Sequence, residues 1–370
     1  MKQPGTGITT GLCAAAAAKA AATTLFSTAR ISTVEVSAKN GRAISLEVID
    51  TVIENGVVKC AVLKDAGDDP DVTSGMKIFA AVSKRDAVGI EVDGDEGVGR
   101  VTKPGLKVPV GKAAINPVPM EMIKSAVSDV CGLYGYTGGI NVVVSIPGGE
   151  EVAEKTMNKR LGVIGGLSVL GTTGIVEPVS TRAIVETIKA EIDVAVATGK
   201  KALLLTPGNY GQEFAKSALG FDINDAVKIS NFIGEALDYV YLKGIKRIIL
   251  IGHAGKLVKL AGGIMNTHSS TADCRTEIIT AHTALCGAGA DVSKQLMECV
   301  TTEAAIDILK ELGINELVWE SIGRKIGFHL NERVSAARRR DRASGNIMIE
   351  YIVFTQEHGV LVRGKVGARS

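Results

Sequence analysis

Alternating apolar and polar residues predict antiparallel strands joined by tight turns in the first third of the chain. The segments "TVEVSAKNGRAISLEVI" and "TVIENGVVKCAVLKD" alternate on either side of Asn40-Gly41 and Asn55-Gly56. Asn-Gly between alternating residues is a strong hairpin signal, because both turn positions favour a positive φ. We therefore predict two hairpins, followed by a further strand pair at residues 76–83 and 88–102.

Helical patterns flank these hairpins. Alanine is the best helix former, so the alanine-rich residues 12–22 are predicted to form a helix. Residues 118–131 also follow a helical pattern, and the apolar run 140–146 is typical of a buried strand. Helix, antiparallel strands, helix and strand make up an α+β domain, to which we assign residues 1–150.

The second part of the chain, residues 151–370, alternates apolar strands with amphipathic helices. Two apolar strands end in the glycine turns "TPGNYG" and "GHAGK", and the last segment predicts two strands joined by a turn at residues 357–359. Repeated βα units of this size predict a mostly parallel, Rossmann-like α/β domain with C-terminal strands. The predicted helices are residues 180–199, 222–244 and 256–262.

Composition and charge narrow the class of protein. A chain of 370 residues is long enough for two domains. Lys+Arg 42 against Asp+Glu 40 gives a net charge of +2, which argues against a nucleic-acid or membrane-surface binder. The basic cluster at residues 338–342 is interpreted as a solvated helix face. No stretch offers the roughly 20 apolar residues of a membrane span, so no membrane partner is expected.

Cysteine spacing and the first residues predict a cytoplasmic location. The six cysteines are scattered and contain no C-x-x-C pair, which is typical of reduced thiols. A secretion signal is not expected, because only Lys2 is basic at the start and Lys19 interrupts the alanines.

Two glycine-rich or acidic stretches in the first part are candidate binding elements. Thr9, Thr10 and Gly11 open the alanine-rich helix, where free amides favour an anion, although plain capping explains the same residues. The loop "KDAGDDPDVTSG" concentrates Asp65, Asp68, Asp69 and Asp71 without the spacing of an EF-hand. It is either a polar turn or a carboxylate cluster that faces a substrate cavity.

A denser group of chemical residues follows the strand that ends near residue 252. His253, Lys256, Lys259 and His268 lie around glycine turns, a pattern that predicts a site for an anionic ligand. The His spacing is a weak metal pattern, and no protein metal site is predicted. The dinucleotide fingerprint G-x-G-x-x-G is missing from the first βα turn of the second domain, so binding of NAD or FAD is not indicated. Thr172-Thr173-Gly174 repeats the Thr-Thr-Gly capping pattern at the start of the first helix.

Six stretches together resemble the cobalt-precorrin-5B (C1)-methyltransferase family, the CbiD proteins of anaerobic cobalamin biosynthesis. The resemblance spans most of the chain, with "GITTGLCAAAAAKAA", "KDAGDDPDVTSG", "GVGRVTKPGL" with "GKAAINPVP", "LGTTGIVEP", "TPGNYG" and "GHAGKLVKLAGGIMNTHSSTADCRTE" in order. It implies that S-adenosyl-L-methionine donates a methyl group to C1 of cobalt-precorrin-5B, giving cobalt-precorrin-6A. Cobalt then arrives inside the substrate.

The resemblance also suggests roles for individual residues, with substrate in the first domain and cofactor in the second. The expected catalytic residues are His253, Asp68 and Asp69. The expected substrate-binding residues are Thr9, Thr10, Gly11, Asp71, Lys256 and His268. The expected cofactor-binding residues are Gly208, Asn209, Gly211, Gly252, Gly255, Thr172 and Thr173.

Two other functions are left open by the residues themselves. One is a carrier of a cobalt-tetrapyrrole intermediate without catalysis, and the other is a nicotinamide-dependent precorrin reductase. The sequence also leaves open whether the chain forms a homo-oligomer.

Overall fold

A computed structural model describes residues 5–176, 181–222, 226–340 and 347–367. Contacts between Cα atoms divide the chain into two units, Met1–Thr181 and Arg182–Ser370. Both units mix helices with strands.

The first unit is built on a five-stranded sheet and three small two-stranded pairings. Its helices are α1 (Thr10–Ser27), α2 (Pro117–Leu133), α3 (Gly149–Ala153) and α4 (Asn158–Leu161). Its strands are β1 (Gly7–Ile8), β2 (Thr33–Ser37), β3 (Ala43–Glu47), β4 (Asp50–Glu54), β5 (Val57–Leu63), β6 (Lys77–Arg85), β7 (Ile90–Gly94), β8 (Arg100–Val101), β9 (Gly139–Ser145), β10 (Val163–Ile164) and β11 (Ile175–Val176).

Both predicted hairpins are confirmed, but the third predicted strand pair is wrong. β2 pairs with β3, and β4 pairs with β5 through a turn in which Asn55 and Gly56 have φ values of +49° and +77°. The large sheet has the order β4-β5-β6-β9-β7. β9 therefore lies between β6 and β7, antiparallel to the former and parallel to the latter. Ile140, Val142 and Val144 of β9 are fully buried, which suits this internal position.

The alanine-rich segment forms α1, as predicted, and most of its residues are buried. Ala14, Ala16, Ala17 and Ala18 have no exposed surface, and α1 packs against α2 and against strands β5 and β6. A helix that is apolar all round requires such burial. Alanine suits it because a side chain of one carbon lets the neighbouring elements approach closely.

The boundary between the units falls later than the predicted position after residue 150. β10 pairs with β8, and β11 pairs with β1, so the residues that follow α3 return to the first unit. The glycine-rich stretch that suggested the start of a new domain instead closes the first one.

The second unit contains a five-stranded sheet of mixed orientation. Its strands are β12 (Ala202–Thr206), β13 (Ala226–Lys228), β14 (Arg247–His253), β15 (Met348–Thr355) and β16 (Gly359–Gly367). The order across the sheet is β13-β12-β14-β15-β16, with four parallel strands and an antiparallel β16 at the edge. The two predicted C-terminal strands are therefore confirmed.

Helices make up most of the rest of the second unit. They are α5 (Thr181–Ala197), α6 (Asn209–Ser217), α7 (Ile233–Leu242), α8 (Ala254–Leu257), α9 (Arg275–Leu285), α10 (Ala290–Met297), α11 (Thr302–Glu311) and α12 (Asn315–Arg340), with a 3-10 helix at Val258–Gly262. The predicted helix over 222–244 is partly wrong, because residues 226–228 form the edge strand β13. Trp319 of α12 is fully buried in the core.

Three further expectations concern the surface and the thiols. All six cysteines are free, as predicted, and burial raises the pKa of Cys13 to about 12. Of the predicted basic helix face, Arg339 is exposed, whereas residue 342 lies outside the described residues. Within the ranges that the structure describes, no helix combines the length and the apolar character needed to cross a membrane.

Candidate functional site

The start of α1 is held by contacts within the first unit. Thr9 is the N-cap, and its hydroxyl accepts a hydrogen bond from Leu12 N at 3.3 Å. The Thr10 hydroxyl donates to Leu170 O at 3.1 Å and accepts from Leu170 N at 2.9 Å. The amide of Gly11 also donates to Leu170 O, at 3.0 Å. Both threonines are buried.

These contacts favour capping and packing over the expected anion site. A Cβ added to Gly11 would lie 2.6 Å from the Pro119 ring, so this glycine lets α2 approach α1 closely. The hydrogen bonds that an incoming carboxylate would need are made to the segment around Leu170 instead. These contacts support a structural role for Thr9, Thr10 and Gly11, and the substrate-binding role of these residues stays a prediction.

The acidic loop contains a buried ion pair that the sequence analysis did not predict. Lys64 Nζ donates to Asp71 Oδ2 at 2.7 Å, and the Lys64 side chain is only 1% exposed. Thr73 donates to Asp71 Oδ1 through its amide and its hydroxyl. Burial acts to raise the pKa of Asp71, but the bonds from Lys64 and Thr73 outweigh it, and the pKa is lowered. Asp71 is thus an internal anchor of the loop.

The other aspartates of this loop lie nearer the solvent. Asp65 is exposed and accepts from Gly67 N, whereas Asp68 is exposed and accepts from Gly5 N at 2.6 Å. Asp69 is half-buried. The loop therefore presents carboxylates at the surface of the first unit while Asp71 fixes it from inside.

In the second unit, the ends of β12 and β14 bring together most of the remaining predicted residues. The two strands are direct neighbours and parallel, so the turns that follow them lie at the same edge of the sheet. Lys256 Nζ donates to Pro207 O at 2.7 Å and connects the two turns. Gly208 has a φ of +154°, and a Cβ at this position would lie 3.8 Å from Lys256 Nζ.

The edge is basic. Burial, reinforced by the charges of Lys228 and Lys259, lowers the pKa of Lys256. Lys228 is the last residue of β13, which places it at the same edge. Lys259 is buried and donates to Thr267 O and Ala272 O. Lys259 Nζ also lies 3.6 Å from Asp273 Oδ1. A ligand with negative charge would therefore chiefly relieve the repulsion between Lys256 and Lys228.

His253 ends β14, and both of its ring nitrogens have partners. Nδ1 accepts from Gly255 N at 3.2 Å, and Nε2 lies 3.0 Å from Glu303 Oε1. Nδ1 is therefore the unprotonated nitrogen of the neutral ring, and Nε2–H donates to Glu303. Burial lowers the pKa of His253, although the charge of Glu303 acts to raise it. His253 is therefore not available as a free general base, because both ring nitrogens are already hydrogen-bonded.

Glu303 is the functional candidate that the sequence reasoning missed. It lies in the first turn of α11, 50 positions after His253 along the chain, and Thr302 Oγ1 donates to its Oε2 at 3.1 Å. No local motif connects it to the turn after β14. The only signal in the sequence is Thr301 at an N-cap position, which predicts a helix start but not its neighbour.

The predicted cofactor glycines divide into two groups. A Cβ at Gly211 would meet Ile251 O at 2.9 Å, and one at Gly252 would meet the Leu257 side chain, so these two glycines allow close packing. Gly208 and Gly255 lie beside Lys256 and His253, and Asn209 is exposed at the start of α6. The second group lies at the basic edge.

Three predicted residues lie outside the two turns, with His268 in the second unit and Thr172 and Thr173 in the first. His268 is exposed, and its Nδ1 contacts Ser270 Oγ at 2.7 Å. Thr172 and Thr173 are exposed in the first unit, where the Thr173 hydroxyl accepts from Ile175 N before β11. They precede the strand β11 and no helix, so the predicted helix-capping role of this repeat is wrong.

No group of three or more His, Cys, Asp or Glu side chains that could hold a metal ion occurs in the described part of the chain. The features that stand out are a surface acidic loop in one unit and a basic, glycine-containing edge at parallel strand ends in the other. Such an edge is typical of α/β proteins that bind small anionic ligands at their strand ends.

Comparison with known proteins identifies the family. A family model described as CbiD matches residues 1–178, and one described as CbiD, C-terminal domain, matches residues 266–365. A relative from Ruminiclostridium cellulolyticum, named cobalt-precorrin-5B C(1)-methyltransferase, is 50% identical over 349 residues, which cover 94% of this chain and 88% of the relative. The chain belongs to the CbiD family, as the resemblance predicted.

Other similar proteins include one of the same name from Methanocaldococcus jannaschii, 42% identical over 328 residues that cover 88% of this chain and 90% of the relative. A crystal structure of a cobalamin biosynthesis protein (cbiD) from Archaeoglobus fulgidus is 28% identical and has a TM-score of 0.38. The match covers 70% of this chain and 79% of the chain in that crystal structure.

Proposed function

We propose that this chain methylates C1 of cobalt-precorrin-5B, using S-adenosyl-L-methionine as the methyl donor and giving cobalt-precorrin-6A. Support comes from its family and from relatives named for this reaction, which match most of its length. Cobalt enters as part of the substrate. The free thiols of all six cysteines are compatible with a reducing compartment, and we place the reaction in the cytoplasm.

The observation that carries this proposal is the basic edge at the ends of β12, β13 and β14. A tetrapyrrole bearing acetate and propionate groups presents several carboxylates. Lys256 and Lys228 supply positive charge, and the exposed start of α6 at Asn209 supplies amides that favour an anion. We therefore assign the carboxylates of the substrate to this edge.

This assignment exchanges the roles that the sequence analysis gave to the two halves. S-adenosyl-L-methionine supplies a methyl group on a positively charged sulfonium. Lysines at the edge of the second unit would repel that charge, whereas the exposed Asp68 and half-buried Asp69 of the first unit would attract it. We propose the second unit for the substrate and the first for the donor.

The second unit is proposed to be a doubly wound, Rossmann-like domain. When its five strands are numbered in chain order, they lie across the sheet as 2-1-3-4-5. In this order the ligand crevice is expected at the carboxyl ends of the first and third strands, β12 and β14, where the connections that follow them run in opposite directions. The Lys256–Pro207 contact lies at that point.

In this proposal the protein positions its ligands and supplies no strong base. Methyl transfer from a sulfonium needs alignment above all, and alignment can contribute roughly 7–11 kcal/mol to lowering the barrier. His253 then holds the turn of Gly255 and Lys256 through the Gly255 amide, while Glu303 fixes its ring. His253 is a positioning residue in this mechanism.

The test is an anaerobic reaction of the purified chain with cobalt-precorrin-5B and methyl-labelled S-adenosyl-L-methionine, analysed by mass spectrometry and NMR of the tetrapyrrole. One labelled methyl group at C1 supports the proposal. A tetrapyrrole that binds but stays unchanged would indicate the carrier function, and reduction dependent on a nicotinamide would indicate a reductase.

A further inference from the structure

A cleft in the first unit is lined by residues to which the proposed mechanism assigns no role. It is bounded by α1, α2 and the β2–β3 hairpin and has a volume of about 320 Å³. This is at the lower end of the roughly 300–1,000 Å³ typical of small-molecule sites. Its floor includes Ala15, Met122 and Ala126, and charged side chains surround it.

Lys19 supplies one of these charges. It is the charged residue that interrupts the alanines of α1, and its Nζ donates to Glu35 O at 2.8 Å. Among the described residues, no carboxylate forms an ion pair with it. Its charge therefore faces the cleft without a counterion from this part of the protein.

Asp129 supplies the opposite charge from α2. It is exposed, lines the cleft, and has no hydrogen bond or ion pair within the described ranges. The other two charges of the cleft already neutralise each other, because Lys39 Nζ lies 2.8 Å from Glu121 Oε2. The cleft thus offers one unmatched cation and one unmatched anion above an apolar floor.

We infer that this cleft binds a zwitterionic α-amino-acid group with an apolar stem, its carboxylate facing Lys19 and its ammonium facing Asp129. The floor of Ala15, Met122 and Ala126 suits methylene groups, and the two charged partners fix the orientation. Taken together with the proposed function, on which this step rests, the ligand is the methionine end of S-adenosyl-L-methionine. The first unit would then bind the donor through this cleft.

The inference is tested by binding, independently of turnover. S-adenosyl-L-homocysteine, which carries the same amino-acid end, is titrated into the full chain by calorimetry. Methionine methyl groups labelled with carbon-13 are followed by NMR in the same titration, and the Met122 signal is assigned with a Met122→Leu variant. We expect saturable binding and a shift of the Met122 signal.

Two variants test the charges. Lys19→Met and Asp129→Asn are each expected to weaken binding by about tenfold, since each removes one charged hydrogen-bond partner. Lys124→Met and Asp86→Asn change exposed residues of the same types that do not line the cleft, and they are expected to bind normally. Circular dichroism confirms that each variant is folded.

Three results would overturn the inference: absence of binding, an unmoved Met122 signal at saturation, or unchanged affinity in both charge variants. The methyl-transfer assay separates these results from failure of the proposed function. If the wild-type chain and both charge variants transfer labelled methyl equally, the proposed function stands and only the location of the donor is wrong. If wild-type chain gives no labelled product, the proposed function itself is wrong.

Discussion

Lys64 and Asp71 form an ion pair 2.7 Å long, in which the lysine side chain is 1% exposed and the aspartate 27% exposed. The aspartate also accepts two hydrogen bonds from Thr73. The pair is therefore the internal support of the loop that displays Asp68 and Asp69. Its asymmetric burial leads to a prediction about stability.

Asp71→Asn is expected to lower the free energy of unfolding by about 3–5 kcal/mol, because it leaves the Lys64 ammonium buried without a counterion. Lys64→Met is expected to cost less, since Asp71 retains some solvent and its bonds from Thr73. The double variant should recover part of the Asp71→Asn loss. Urea unfolding measures all three.

The exposed pair Lys77–Asp50, 3.9 Å long, provides the control for this series. Asp50→Asn should change the free energy of unfolding by at most about 1 kcal/mol, as is typical of surface pairs. Equal losses for Asp50→Asn and Asp71→Asn would show that the buried pair contributes no more to the free energy of unfolding than the exposed pair does.

Gly11→Ala tests whether the start of α1 serves packing or ligand binding. The added Cβ would lie 2.6 Å from Pro119 Cγ and 3.1 Å from Leu170 O. We expect a loss of about 1–3 kcal/mol in the free energy of unfolding, typical of an overpacked site. Thermal and urea unfolding measure it, with Gly132→Ala in α2 as the control, because a Cβ added there would meet no atom within 4 Å. A stable variant with weakened substrate binding would instead restore the anion-binding role.

Much of the fold follows from local sequence patterns. Asn55-Gly56 predicts its hairpin because the turn requires two positive φ values, and the alanines of α1 predict a helix. The pairing of β9 between β6 and β7 does not follow in this way, since a strand 40 or more positions away is chosen by burial in the complete sheet. Residues 226–228 likewise fit a helical pattern in the sequence, and they form the short strand β13 because they pair with β12 in the sheet.

The candidate site shows the same division. His253 and Lys256 could be predicted because they follow a recognisable strand and glycine turn. Glu303 and Lys64 could not be predicted, because their roles depend on contacts between residues that are far apart or buried. Glu303 contacts His253, and Lys64 pairs with Asp71 inside the protein. A charged side chain in a sequence is expected at the surface, and only the structure shows when it is buried.

Lys256 leads to a prediction about substrate affinity. Its pKa is lowered by burial and by Lys228 and Lys259, so its ammonium loses its proton below the ordinary lysine value of about 10.4. The KM for cobalt-precorrin-5B should therefore rise as pH increases from 7 to 10. Lys256→Met should raise KM by about tenfold at pH 7 and flatten this rise, since a charged hydrogen bond is lost.

Lys246→Met, an exposed lysine just before the same strand, is the matched control and should leave KM and its pH dependence unchanged. The role assigned to Lys256 would be wrong if its variant kept the wild-type KM across this range. A fall in kcat alone would place its effect on the chemical step instead of on substrate binding.

His253 leads to a prediction about acid stability. Burial lowers its pKa in the folded chain, against about 6.5 when unfolded. Below pH 6.5 the unfolded chain then binds more protons than the folded one, so stability falls as pH decreases through this range. Burial lowers the pKa of His282 and His329 as well, which adds to the same trend. Urea unfolding between pH 7.5 and 5.5 should show it.

The contribution of His253 can be isolated through Glu303, whose charge is the one that acts to raise its pKa. Glu303→Gln keeps an oxygen that can accept from Nε2–H but removes the charge, so the pKa of His253 should fall further. NMR titration of the ring signals should therefore give a midpoint below 6.5 in the wild-type chain and a lower one in Glu303→Gln, with Glu298→Gln as an exposed control. Nitrogen-15 shifts should also show the proton on Nε2 in both. A midpoint that rose or stayed the same on removal of the Glu303 charge would mean that this carboxylate does not govern His253, and that the Gly255 turn is held by the backbone alone.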